Sequence, residues 1–290
     1  MQVGRTMAQK LALLAILIIT LSWPITGGTG ELTDKELRER VRSILEKLAS
    51  PDCAIRQQAV LEEWARLPTT DLPGLIAILE EQLQSTAAPA RFRGAVILES
   101  LKREHVSNGG EAFEVLLRLW LAPALGASSR DKPAQFKRAK LELLRIAKNR
   151  SNPLSLRAAA IAVISYLVDH YGDPYGKAER MGVPIKEWKR ELILLLRGPD
   201  PELKTMAAIT MGSLSGFADV SRSKLVPILI AGLRNEDFDI RLGAQQTLRK
   251  LTGEQFCIDP TDTIGEREVG IRKWKEWWAA AKPKPMPERP

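Results

Sequence analysis

An all-α protein assembled from repeated pairs of helices is the fold this sequence predicts, and three observations predict it. Apolar residues recur at three and four positions along most of the chain, and period-two alternation is essentially absent. A phrase of one basic, one small and two large apolar residues returns along the chain at nearly constant offsets. The composition also suits helices packed through aliphatic side chains: of 290 residues, 44% are hydrophobic and 27% charged, but only 6% aromatic.

The first 28 residues stand apart from the repeats. Arg5 and Lys10 precede the apolar run "LALLAILIITLSW" at 11–23, and Pro24 and the small residues "TGGTG" follow. A basic start, a short apolar stretch and small residues after it form a secretory signal. The run is shorter than the roughly 20 residues that span a bilayer. Cleavage is expected near Gly28, with an uncleaved anchor as the alternative, and either Met1 or Met7 serves as the start. The mature chain then carries a net charge of +6 instead of +8. An exported, mildly basic protein is expected to act in the periplasm or outside the cell. It meets a protein or peptide, or an anionic glycan or membrane surface, rather than nucleic acid.

Residues 29–252 carry the repeats. Thr33 with Glu36 makes a capping box for a first helix over 33–49. Further partner helices are predicted near 71–84, 111–122, 185–197 and 223–234. Between and after them come second helices that carry the repeated phrase. Arg91, Gly94, Leu98 and Leu101 spell it, as do Arg157, Ala160, Ile164 and Leu167. Lys204, Ala207, Met211 and Leu214 give a third copy, and Arg241, Ala244, Leu248 and Leu251 a fourth. Offsets of three, seven and ten keep one helical face, on which the small residue admits a neighbouring helix and the large ones fill the seam. One further copy, Arg56 and Ala59, slips by one residue to Trp64 and Leu67. Ser50-Pro51, Asn152-Pro153 and Asp200-Pro201 put a capping residue before a proline suited to a first helical turn. Ala88-Pro89 does so without the polar cap.

The basic residues of the phrase are 35, 66, 47 and 37 positions apart, and the gap of 66 is two units. This period, with the phrase Arg-x-x-Ala-x-x-x-Leu-x-x-Leu, resembles HEAT repeats over about residues 33–252. The resemblance implies an α-solenoid whose second helices line a concave face. It implies a binding surface rather than a reaction. The stretch 111–171 departs from the pattern by fitting three helices, as an armadillo-like unit does.

Residues 253–282 form a link and a last helix. "TGEQFCIDPTD" is rich in turn residues, and Thr263 with Glu266 makes a second capping box. Ile271, Trp274, Trp278 and Ala281 then share one face, with Trp277 beside it. A repeat array must cover its last apolar face, so these tryptophans are expected to be a structural cap. This ending resembles the terminal segment of other exported bacterial HEAT-repeat proteins, where a Leu-Thr-Gly turn precedes a Trp-rich helix. Residues 283–290, with their repeated prolines, are expected to be a disordered tail.

Two cysteines lie near the ends of the mature chain, Cys53 and Cys257. Export permits a disulfide, but an extended array would hold the ends far apart, so two free or buried thiols are expected. With His105 and His170 they lack zinc-ligand spacing, and no metal or cofactor is expected. The chain shows no phosphate cradle, nucleophile elbow or metal-binding helix signature, so no enzymatic activity is expected.

Two places remain for function. Residues 130–150 hold eight Lys or Arg against Asp131 and Glu142. Phe136, Ala139, Leu143 and Ile146 are expected to face inward. Arg138, Glu142, Arg145 and Asn149 then form an outer stripe with Lys137 and Lys148 beside it. Lys137, Arg138, Arg145 and Lys148 are the candidate partner-binding residues, with a merely solvated helix face as the alternative. The second place is the insertion at 168–185. Its Asp169, His170, Tyr171, Asp173 and Tyr175 offer an alternative enzyme or metal-binding site, against a plain structural loop.

Overall fold

The computed structural model describes residues 33–67, 72–107, 109–171, 183–214, 217 and 220–281, all helical or connecting, with no strand among them. The signal-like segment at 1–28, the tail at 283–290 and most of the 168–185 insertion lie outside the described residues.

Among the described residues thirteen α-helices follow in order. They are α1 (Asp34–Leu48), α2 (Cys53–Gln58), α3 (Leu72–Ser85), α4 (Ala88–Ser107), α5 (Gly109–Leu116), α6 (Ala122–Gly126), α7 (Lys132–Lys148) and α8 (Leu154–Tyr171). Then come α9 (Ile185–Leu195), α10 (Pro201–Ser213), α11 (Arg222–Gly232), α12 (Phe238–Thr252) and α13 (Ile264–Ala280). Both predicted capping boxes form, at Thr33/Glu36 and Thr263/Glu266. Asp200 caps α10 as expected, accepting from the amides of Glu202 and Leu203. At the first proline the cap moves: Asp52 rather than Ser50 starts α2, and the Ser50 hydroxyl supports it by accepting from the Asp52 amide.

The repeated phrase reads out as burial. Ala59, Ala160, Ala207 and Ala244 are all fully buried, and so are Ile164, Leu167 and Leu248. The one-residue slip has a physical cause. After Gln58 the helix widens into a π-helical turn, Ala59–Glu63, and closes in a 3-10 turn, Trp64–Arg66. A π turn takes up one extra residue, so Trp64 and Leu67 return to the buried face one position late. A second π turn, Leu117–Leu121, joins α5 to α6. It breaks the first of the three helices expected over 111–171.

Neighbouring helices pack in sequence, and α8, α10 and α12 pack on one another in turn. Helix α4 meets both α8 and α12, so the late part of the chain comes back to the early part. Two apolar clusters result. One runs from α5 to α13; the other fills α1 to α4 and includes Phe238 and Leu242 of α12.

That return overturns the expectation of two thiols held apart. Cys53 and Cys257 are joined by a disulfide, with Cα atoms 6.1 Å apart across 204 residues of sequence. Around it, the buried Arg56 donates to Asp259 at 3.2 Å and to Asp262 at 3.0 Å. Arg93 reaches Asp262 at 3.0 Å and Glu266 at 3.3 Å, and Arg249 reaches Glu62 at 3.4 Å. The Gln57 side chain donates to the Phe256 carbonyl at 3.3 Å. Asp259 and Asp262, in the turn-rich link before α13, therefore close the molecule. Asp259 keeps its turn role, accepting from the Thr261 amide and hydroxyl. Burial pushes the Asp259 carboxyl up, and the neighbouring Asp262 charge adds to that; Thr261 and Arg56 pull the other way.

The segment between α12 and α13 is held from both sides. Gly253 ends α12 in the left-handed region (φ 77°), with its amide bonded to the Arg249 carbonyl at 2.8 Å. Arg241 donates to the Pro260 carbonyl at 2.8 Å and Gln245 to that of Ile258 at 2.5 Å. Helix α13 lies so close that a Cβ on Gly270 would stand 2.4 Å from the Cys257 carbonyl oxygen and 2.3 Å from Ile258 Cγ1. Gly270→Ala is therefore expected to cost about 1–3 kcal/mol through overpacking, despite alanine's better helix propensity. A urea titration checks the sign; a stabilised variant would mean that the segment slides freely.

Candidate binding surface

Helix α7 carries the predicted basic stretch, and its sequence divides cleanly into two sides. Phe136, Ala139, Leu143, Leu144 and Ala147 are buried, and Ile146 is half-buried. Phe136 meets Trp188 of α9 edge to face, with ring centroids 6.2 Å apart. This apolar side packs on α8, so the opposite side faces out. There Lys137, Arg138, Arg145 and Lys148 are all exposed, as the sequence predicts.

The eight cations of 130–150 do not act together. Lys140, mostly buried, reaches Glu187 at 3.1 Å and Glu191 at 4.0 Å, which ties α7 to α9. Arg150 shares Asp200 with the buried Arg157, at 3.2 Å and 2.6 Å. These two are structural. Arg145 bonds Glu142 at 2.7 Å one turn back on its own helix, a contact that leaves it largely in water. The Arg138 guanidinium lies over the Trp120 ring, 5.7 Å from its centroid. Among the described residues no carboxylate pairs with Lys137 or Lys148. The exposed cations on α7 itself are therefore Lys137, Arg138, Arg145 and Lys148, with Arg130 exposed just before the helix.

Sequence reasoning missed the apolar part of this surface. The second π turn lies against α7. It presents Leu119 to solvent beside the half-buried Trp120, and Val115 is exposed one turn earlier on α5. Leu141 is exposed on α7 itself. The signal was present: Leu141 falls on the polar side of the 3.6-residue pattern, where the lysines and arginines hid it.

At the far end, Ile271 and Trp274 of α13 are fully buried, while Trp277 and Trp278 are half-buried. Phe256 lies 4.8 Å from Trp274 and 6.1 Å from Trp277, centroid to centroid. Ala281, expected on the same face, is exposed, because α13 ends there and its last turn passes beyond its neighbours.

An open cleft of about 480 Å³ lies between α1 and the α3–α4 corner, lined by Arg38, Arg42, Gln82, Ser85 and Thr86 among others. Arg38 is taken up by Asp34 at 2.7 Å and Glu81 at 2.5 Å, and the Gln82 amide donates to the Arg38 carbonyl at 2.8 Å. Those bonds join α1 to α3.

Asp169, His170 and Tyr171 end α8, but their side chains and residues 172–182 lie outside the described residues, as does the His105 side chain. Among the described residues no group of His, Cys, Asp or Glu is placed to hold a metal ion. No helix there is long and apolar enough to cross a membrane. Comparison with protein-family models, with curated proteins and with solved structures finds no match for this chain.

Proposed function

We propose that this chain is a non-catalytic interaction scaffold, exported from the cytoplasm, that holds a protein or peptide partner. Its frame, in this reading, is an α-solenoid of HEAT-like helix pairs, and α13 with Trp274, Trp277 and Trp278 is its terminal cap. The succession of paired helices with buried second-helix faces supports the frame. The Cys53–Cys257 bond supports export, since disulfides persist in oxidising compartments.

One observation carries the binding role. Lys137, Arg138, Arg145 and Lys148 all stand exposed on one side of α7, whereas Lys140 of the same helix and Arg150 just after it are drawn into ion pairs with Glu187 and Asp200. A concentrated basic face speeds the arrival of an acidic partner and fixes its orientation. The sequence expectation puts the partner on a concave basic face; here the surface lies on the side of α7 turned away from α8.

The test is crosslinking in the native host followed by mass spectrometry, comparing wild type with R138E/R145E/K148E after circular dichroism shows the variant folded. The expected result is a partner captured by wild type and lost from the variant. The same partners in both would reduce α7 to a solvated helix.

A further inference from the structure

We propose that the uncovered side of α7, together with the π turn beside it, receives an amphipathic helix that carries acidic residues along the edges of its apolar stripe. The proposal rests on the scaffold reading and names the chemistry of the partner. Three aliphatic side chains project from this surface: Val115 is 49% exposed, Leu119 60% and Leu141 56%. Val115 lies in the last turn of α5 and Leu119 four residues on, inside the π turn, about one helical turn away. Leu141 stands one turn beyond Arg138. The stacking of Arg138 on Trp120, the neighbour of Leu119, joins the two elements into one surface.

The chemistry of the occupant follows from the chemistry of the surface. Aliphatic groups gain only from an apolar counterface that removes them from water. Lys137, Arg138 and Lys148 beside them call for carboxylates. On α7 only Glu142 opposes these charges, and Arg145 already occupies it. A partner must therefore bring an apolar stripe with acidic edges. An amphipathic helix does this with anchors at i, i+3, i+4 and i+7.

An anionic bilayer offers the same two chemistries, and Trp120 separates them. A membrane-docking aromatic must reach the headgroup layer. Trp120 is half-buried, with a guanidinium across its face. Three aliphatic side chains without it give an interfacial contact little depth. A helix lying across the surface needs no protruding ring.

The probe is a fluorescein-labelled peptide of about 18 residues, long enough for five helical turns, with Leu at i, i+3, i+4 and i+7 and Glu beside them. Anisotropy is followed on titration with the full chain, against a scrambled peptide of identical composition. The amphipathic peptide is expected to bind roughly tenfold tighter than the scrambled one. L119S/L141S, shown folded by circular dichroism, is expected to erase that margin. R138E/K148E is expected to weaken both peptides, with the effect shrinking in about 1 M salt. Equal affinity for the two peptides overturns the proposal, as does an undiminished margin in L119S/L141S. Retention on phosphatidylglycerol vesicles without peptide binding, lost in the same variants, replaces the helix by a membrane surface. The scaffold reading fails on a different result, namely native crosslinks that survive charge reversal.

Discussion

Replacing Cys53 and Cys257 by serine, or reducing the bond between them, is expected to lower the stability of the protein by up to about 5 kcal/mol. The magnitude comes from the unfolded chain. The bridge closes a loop across 204 residues, and the entropy that a crosslink removes from the unfolded state grows with the logarithm of loop length. Native contacts around the bridge are expected to persist without it. Arg56 faces Asp259 and Asp262, and Arg93 faces Asp262 and Glu266, independently of the sulfur atoms. The reduced protein is therefore expected to stay folded and closed in the absence of denaturant while unfolding at a clearly lower urea concentration. Circular dichroism through a urea titration measures the shift, and small-angle scattering of the reduced protein measures closure. An unchanged midpoint would mean that the two ends stay together in the unfolded state as well. An expanded reduced form would mean that the ion pairs follow the disulfide rather than support it.

The joining of the ends is also where reading the sequence stopped short, and the reason is instructive. The repeated phrase identifies helices, their buried faces and most of their caps, because helical periodicity and capping are local. Even the one-residue slip after Arg56 was visible, and a π turn explains it. Whether an array of helix pairs stays open or closes is set by small rotations between pairs, and no local pattern records these. One indirect sign existed. Arg157, the basic residue of its copy, bonds Asp200, the acidic cap of α10 in the next pair. The corresponding helix after Arg56 starts at Ala88-Pro89, which brings no acid. A buried arginine without a local carboxylate needs one from elsewhere. Asp259 and Asp262 supply it from the other end of the chain.

The basic surface was legible in a similar, partial way. The charge count over 130–150 located it, and the helical period sorted its two sides correctly. The count overstated it, because Lys140 and Arg150 are claimed by carboxylates from later helices that sequence distance conceals. The periodicity understated it as well. Leu141 lies between Lys140 and Glu142 and Leu119 within an apolar run, and the packing of the π turn on α7 brings their two elements together.

Trp274→Ala is expected to destabilise the protein by about 3–5 kcal/mol, the range for removing a large aromatic ring from a closed core. Trp274 is fully buried and sits edge to face on Phe256, in the same apolar cluster as the helices from α5 onward. Removing it leaves a cavity under α13 that the held segment cannot refill, because Arg241 and Gln245 fix that segment through its backbone carbonyls. Trp278→Ala removes a half-buried ring and is expected to cost about 1 kcal/mol or less, scaled to the smaller area it covers. Trp274→Phe should lose much less than the alanine variant, since the indole N–H meets no acceptor among the described residues. Urea midpoints for the three variants order these costs. The cap reading requires Trp274→Ala to be far the worst and to leave partner capture intact under conditions where the variant is folded. If capture vanished while all three midpoints matched wild type, the tryptophans would be a recognition site. The basic side of α7 would then no longer be the leading place to seek the partner.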